Sequence, residues 1–171
     1  KILIVDWDYH HGNSTEFFFY DDPSVLFFST QDQFAYPGTG SPLRKGMNEG
    51  LGFNVNIHLP CGTKDQTIIE IFENNLIKRA KDFNPDFILI SAGFDSRQDD
   101  LLGCFAVTDD GFVRLTKIAM SIANEFCDDR LVSILEGGYN LQGNANAVIA
   151  HALTLESNIF ADSAFSLSGC R

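Results

Sequence analysis

Asp8 and His10 stand two residues apart, and in an extended segment residues i and i+2 project to the same side. A carboxylate and an imidazole then face one point. Asp95 follows the small-residue run Ser91-Ala92-Gly93 at the end of an apolar stretch and brings a second carboxylate from another segment. Two carboxylates and one imidazole suit a catalytic divalent ion, with a fourth position left for water. Asp8 and His10 alone would also fit a surface turn; the placement of Asp95 at a strand end weighs against that. Tyr139 follows Gly137-Gly138, and its hydroxyl is the kind of donor that stabilises a developing oxyanion. Gly-Gly-Tyr-Asn in isolation reads as a plain turn, and its position after another strand is what raises its interest.

The elements that must position these groups alternate. Apolar runs predict strands over 2–6, 25–29, 87–90 and 131–135, an alternating pattern predicts another over 53–58, and helix-period stretches fall at 67–81, 109–126 and 144–155. Asp65 and Asp109 are the expected N-caps. Continuous apolar strands alternating with helices predict an α/β fold, three-layered, with a mainly parallel sheet flanked by helices. In such sheets ligands gather at the carboxyl ends of the strands. Three separate segments, after the first, fourth and fifth strands, deliver Asp8 and His10, Asp95, and Tyr139 to that one edge. The stretch from Thr30 to Gly52 has no clear period and is expected to be a functional loop.

The chain has 171 residues, enough for one domain with a sizeable core. It begins at Lys1 in a strand already under way, so it is expected to be a fragment or to have lost upstream residues, with no signal peptide. No run of 18 apolar residues is present, so no membrane-spanning helix is expected. A net charge of −11 argues against binding nucleic acid directly and permits cationic substrates. Four cysteines, at 61, 104, 127 and 171, form no Cys-x-x-Cys pair and are expected to be free thiols in a cytoplasmic protein, or a nuclear one in a eukaryote. The pattern fades over 157–171, an expected disordered or frayed tail.

Asp6-Trp7-Asp8-Tyr9-His10-His11-Gly12-Asn13 resembles the Asp-x-Asp-x-His-His-Gly segment of the histone deacetylase family, with a Trp and an Asn typical of its class II branch. Ser91-Ala92-Gly93-Phe94-Asp95 resembles the family's third-ligand segment, Glu136-Gly137-Gly138-Tyr139-Asn140 its catalytic-tyrosine segment, and Tyr36-Pro37-Gly38-Thr39-Gly40 the loop beside the substrate tunnel. The likeness runs from residue 2 to about 156, and implies that 1–156 is the C-terminal part of a deacetylase catalytic domain with an arginase/deacetylase-like fold, incomplete at its N-terminal side. It implies Zn2+ held by Asp8, His10 and Asp95, catalysis by Tyr139 with Asp6 orienting a histidine, and substrate contacts from Tyr36 and Gly138. It places His11 and Asn13 behind the ligands. It also implies K+ at Asp6, Asp8, His10, Ser29 and Thr30, and a second cation site at Phe19, Asp22, Val25 and Phe53.

The activity so implied is hydrolysis of an acetyl-amide on a lysine peptide, a polyamine or a small acetylated amine. An arginase-like enzyme with two metals is the nearest rival, but Ser96 and Arg97 follow Asp95 with no second Asp two residues on. A non-enzymatic acyl-lysine-binding module is a third reading, which the retained Tyr139 disfavours. The family's upstream His-His pair is absent: the four histidines are His10, His11, His58 and His151. His58 and His151 are expected to be structural, and Asp99 and Asp100 to form a solvated turn, with the edge of the pocket entrance as the alternative. The chain by itself is therefore expected to be an inactive fragment.

Overall fold

The computed structural model describes the backbone of residues 1–165 and the side chains of residues 1–157. Its strands are β1 (Ile2–Asp6), β2 (Val25–Asp32), β3 (Asn54–Leu59), β4 (Phe87–Ala92) and β5 (Leu131–Leu135). They form one parallel sheet in the order β3-β2-β1-β4-β5. The expected strands are all present. β2 runs three residues beyond its apolar stretch because Thr30, Gln31 and Asp32 keep pairing with β3. Two of these polar side chains are satisfied in place: Gln31 Nε2 donates to the Gly40 carbonyl and Asp32 accepts from the Tyr9 hydroxyl.

The helices are α1 (Asn13–Phe18), α2 (Asp65–Ile71), α3 (Ile77–Phe83), α4 (Asp109–Phe126) and α5 (Leu141–Phe165). A wide turn over Phe72–Leu76 joins α2 to α3, so the two make the single helical stretch that the sequence predicts. Ile68, Phe72, Leu76, Ala80 and Phe83 are buried at spacings of three and four, which is what fixes this stretch against the sheet. α5 continues beyond the expected 155 to Phe165. Of the tail expected over 157–171, residues 166–171 and the side chains of 158–165 lie outside the described residues.

The two faces of the sheet are unequally covered. Leu3, Val5, Leu26, Phe28, Ile88 and Ile90 pack into the main core with buried residues of α2, α3, α4 and α5. The opposite face holds only a small cluster of Ile4, Val25 and Phe27 with Phe19 and Leu89. On that side Ile2, Val132 and Ile134 are 36%, 45% and 49% exposed. Parallel sheets are normally buried on both faces, so this is where the third layer is incomplete.

Two expectations are corrected. Thr108, not Asp109, caps α4, its hydroxyl accepting from the Gly111 amide. Asp65 caps nothing of its own; it accepts from the Thr108 amide and hydroxyl at 2.8 and 2.6 Å, because the loops after β3 and β4 lie side by side. The same adjacency brings two of the cysteines together. Cys61 and Cys104 stand side by side with Cα atoms 5.1 Å apart, while Cys127 is buried. A pairing across 43 residues of sequence leaves no local spacing to read.

His151 is structural, as expected. Its ring meets Trp7 edge-on at 5.6 Å, and its two nitrogens bond the Thr116 and Ser133 hydroxyls. Burial pushes its pKa down to about 4 from an ordinary 6.5. The folded state therefore favours the neutral ring: the associated stability is complete above pH 6.5 and is lost as pH falls toward 4. It is worth on the order of 3 kcal/mol. His151→Gln is expected to flatten the corresponding part of the stability profile, measured by urea unfolding at pH 7 and 4.5; an unchanged difference between those pH values would contradict it.

Candidate functional site

β1 and β4 are neighbours, in register with Asp6 beside Ser91. The chain leaves both strands at the same rim, so Asp8 and His10 from one meet Asp95 from the other. Their ligand atoms lie within 4.8 Å of one another, the only such acidic and imidazole group of three among the described residues. His10 Nδ1 is 3.3 Å from Asp8 Oδ1 and 2.8 Å from Asp95 Oδ2. The Tyr9 amide donates to Asp95 Oδ1 and the Gly137 amide to Asp8 Oδ2, leaving one oxygen of Asp95 and the inner edge of Asp8 turned to the common centre.

The charges at this point do not balance without a cation. No lysine or arginine hydrogen-bonds the three side chains among the described residues. The bonds to Asp8 and Asp95 raise the pKa of His10 to about 10, so a proton on its ring supplies the missing positive charge. The two carboxylates move in opposite directions although both touch Nδ1. Burial dominates at Asp95 and raises it. Burial also acts on Asp8, but the bonds from His10 and the Gly137 amide outweigh it and hold Asp8 down. A divalent ion with two oxygen donors and one nitrogen donor would replace that proton.

Glycines give the ions their room. A Cβ at Gly93 would collide with the Asp8 carboxylate, and one at Gly137 would stand 2.7 Å from Asp8 Oδ2. Tyr139 stands across the site, its ring 6.3 Å from that of His10 and edge-on to it. Burial, then the charges of Asp95 and Asp8, push its pKa up, so the phenol keeps its proton and remains a donor. Asp8, His10, Gly137 and Tyr139 line an open cleft of about 720 Å³, which His11, Tyr36, Asn13 and Gly138 also border, while Asp95 is fully buried beside Asp8 and His10.

The remaining candidates separate into groups. Asp6 is buried, and its Oδ1 accepts the Asp8 amide. Burial and then the nearby Asp8 charge raise its pKa well above the usual range, since no cationic side chain bonds it among the described residues. Ser29, its neighbour across β1 and β2, is fully buried, and the buried Thr30 hydroxyl has no partner among the described residues. His11 does not join the three ligands: its Nδ1 bonds the Thr39 hydroxyl and its Nε2 lies 3.5 Å from Glu16. Asn13 is exposed at the start of α1. His58 sits half-buried at the end of β3 in a second hollow, with Arg44 and Glu16. In the second expected cation site, the Phe19, Asp22 and Phe53 carbonyls each accept a backbone amide.

Asp100 was read as part of a solvated turn, and the structure overturns that. It is half-buried and accepts four backbone amides, those of Leu102, Gly103, Tyr139 and Asn140. An Asp bonding the amide two residues on is a turn signature, and Asp100-Leu101-Leu102 carried it; the long-range half of the arrangement had no signal in the sequence. Ser96 and Arg97, where a two-metal site would need a further carboxylate, bond the Trp7 carbonyl and Asp109.

Residues 1–155 match the histone deacetylase domain family. A probable deacetylase of Archaeoglobus fulgidus is 42% identical over 143 residues, covering 84% of this chain and 40% of its own length. Histone deacetylase 15 of Arabidopsis thaliana is 42% identical over 156 residues, 87% of this chain and 28% of its own. The solved HDA15 HD domain superposes with a TM-score of 0.85 at 40% identity, over 91% of this chain and 45% of that one. The histone deacetylase Clr3 gives 0.86 at 37% identity, over 91% and 26%. The chain thus spans less than half the length of these relatives.

The packing around the ligands yields a test. Gly93→Ala is expected to weaken binding of a divalent ion by about tenfold or more, as losses next to metal ligands do, while Asn13→Ala leaves it unchanged. Metal titration by calorimetry measures both; equal affinities for Gly93→Ala and the wild type would contradict the placement of Asp8.

Proposed function

The chain belongs to the histone deacetylase family, and from that premise we propose that it carries the metal-binding half of a zinc-dependent amidohydrolase removing acetyl groups from amines. The observation that carries this reading is the meeting of Asp8, His10 and the buried Asp95 at the wall of a cleft that Tyr139 also lines. The donor set suits zinc with an open coordination position. Bound there, zinc would lower the pKa of a water and polarise the scissile carbonyl. The Tyr139 hydroxyl, held neutral, would donate to the oxygen that becomes negative as the amide is attacked. Gly138, with φ at +139°, lets the chain turn there so that Tyr139 reaches the cleft. Asp6, buried without a cationic side chain, with Ser29 and Thr30 beside it, suits a structural K+. Tyr36, exposed at the rim, would border the acyl-amine's path, and the net charge of −11 favours a cationic substrate such as an acetylated lysine peptide or polyamine, or a small acetylated amine.

The proton-transfer group is not among this chain's described histidines. His10 would hold the metal, His11 borders the cleft with Nδ1 on the Thr39 hydroxyl and a buried Nε2 that lies 3.5 Å from Glu16 without a hydrogen-bond partner among the described residues, and His58 and His151 lie elsewhere. We therefore place the general base, and the cover for the open sheet face, in polypeptide beyond these 171 residues. Two outcomes follow. In the longest natural protein containing this chain, Tyr139→Phe is expected to keep its metal and lose on the order of 10²–10³ in kcat on an acetyl-lysine peptide; near-normal turnover would remove Tyr139 from the mechanism. The isolated chain, zinc-loaded, is expected to be slower than that protein by about 10²–10⁴, the loss typical of a missing proton-transfer group. Equal rates would show that the base lies within these residues.

A further inference from the structure

Tyr139 has no side-chain hydrogen bond among the described residues, and its side chain is substantially exposed. Its place opposite His10 must therefore come from the backbone that carries it. That backbone is anchored on two sides of Gly138. Upstream, the Gly137 amide donates to Asp8 Oδ2 at 3.0 Å and the Gly137 carbonyl accepts from the Phe94 amide at 2.8 Å. Downstream, the Tyr139 and Asn140 amides donate to Asp100 Oδ2 at 2.7 and 3.3 Å, and the Asn140 side chain donates to the Asp99 carbonyl at 2.9 Å. Gly138 between them, at φ +139°, fixes no direction by itself.

The other oxygen of Asp100 accepts the Leu102 and Gly103 amides at 2.8 and 2.9 Å. Gly103 in turn packs onto the Asp95 main chain so closely that a Cβ there would overlap the Asp95 carbonyl. One carboxylate thus ties the segment bearing the phenol to the loop that follows a metal ligand. Hydrogen bonds to an ionised acceptor are stronger than neutral ones, and the negative charge sits at the start of α5, where it is favoured by the helix dipole.

We propose that Asp100 is a positioning residue for Tyr139: its carboxylate clamps the tyrosine's backbone to the Asp95 loop and so sets the hydroxyl at the reacting carbonyl. This rests on the functional reading above, and its test separates the two. In Asp100→Asn the side chain can present only one carbonyl oxygen, so one pair of amides loses its acceptor. The measurement is a double-mutant cycle of Asp100→Asn with Tyr139→Phe in the longest natural protein containing this chain, using an acetyl-lysine peptide and metal analysis of each variant. Asp100→Asn is expected to lower kcat by on the order of tenfold or more, since small misplacements of a catalytic group cost that much, with KM within about twofold and metal content unchanged. Combined with Tyr139→Phe it is expected to cost less than about twofold further, because the group it positions is already gone. Equal losses in both backgrounds, or no loss in either, would overturn the proposal.

Hydrogen exchange gives a second readout that needs no activity. The Tyr139 and Asn140 amides are expected to exchange faster in Asp100→Ala, which removes both acceptor oxygens, while the Gly137 amide does not. Unchanged exchange at Tyr139 overturns the clamp. Should Asp100→Asn not fold, Asp100→Glu keeps the charge one methylene further out and is expected to show the same non-additivity with a smaller loss; additivity there overturns the proposal equally. A wild-type protein inert toward every acetylated amine condemns the functional reading alone, and exchange then decides the clamp.

Discussion

Two carboxylates and an imidazole are forced together at the ends of two adjacent parallel strands, and the charges there do not balance without a cation. Asp8 and Asp95 would repel each other across His10 if nothing positive lay between them. The surrounding structure accommodates this crowding rather than relieving it. The Tyr9 and Gly137 amides fix the carboxylates, and glycines stand where a side chain would take their space. A site that holds like charges at close range with an open side toward solvent is suited to a tightly held metal ion and a small molecule.

The parallel sheet makes this possible because register converts strand pairing into ligand geometry. Asp6 pairs with Ser91, so the residues that follow on β1 and β4 leave the sheet together. β5 adds the Gly-Gly-Tyr segment on the outer side of β4. The ligands therefore sit on segments whose positions are set by the main core, and the phenol on one secured by Asp8 and Asp100. The less covered sheet face agrees with a catalytic unit larger than this chain, as does its coverage of less than half of each relative.

Much of this was legible in the sequence. Four strands appear as largely apolar runs of Ile, Leu, Val and Phe, the edge strand β3 shows instead as an alternation of polar and apolar residues, and the chemistry-bearing residues directly follow three of the five. What was hidden depends on contacts between distant segments. Gln31 and Asp32 look like loop because their polar groups find partners only in the folded chain. α1 has six residues, too few for a period to show, and its buried Glu16 is held by Arg44, Asn54 and Asn56 from far along the chain. Asp65 looked like a cap for its own helix and instead receives the start of α4. Cys61 with Cys104, and Asp100 with Tyr139, are likewise partnerships across long separations.

The central claim is that Asp8, His10 and Asp95 together hold one divalent ion. X-ray absorption at the zinc edge, on the longest natural protein containing this chain loaded with one equivalent of zinc, tests it directly. The account predicts a first shell of oxygen and nitrogen only, at about 2.0–2.2 Å, with the scattering of a single imidazole that disappears in His10→Ala. A sulfur ligand at about 2.3 Å, or an unchanged imidazole signal in that variant, would contradict it.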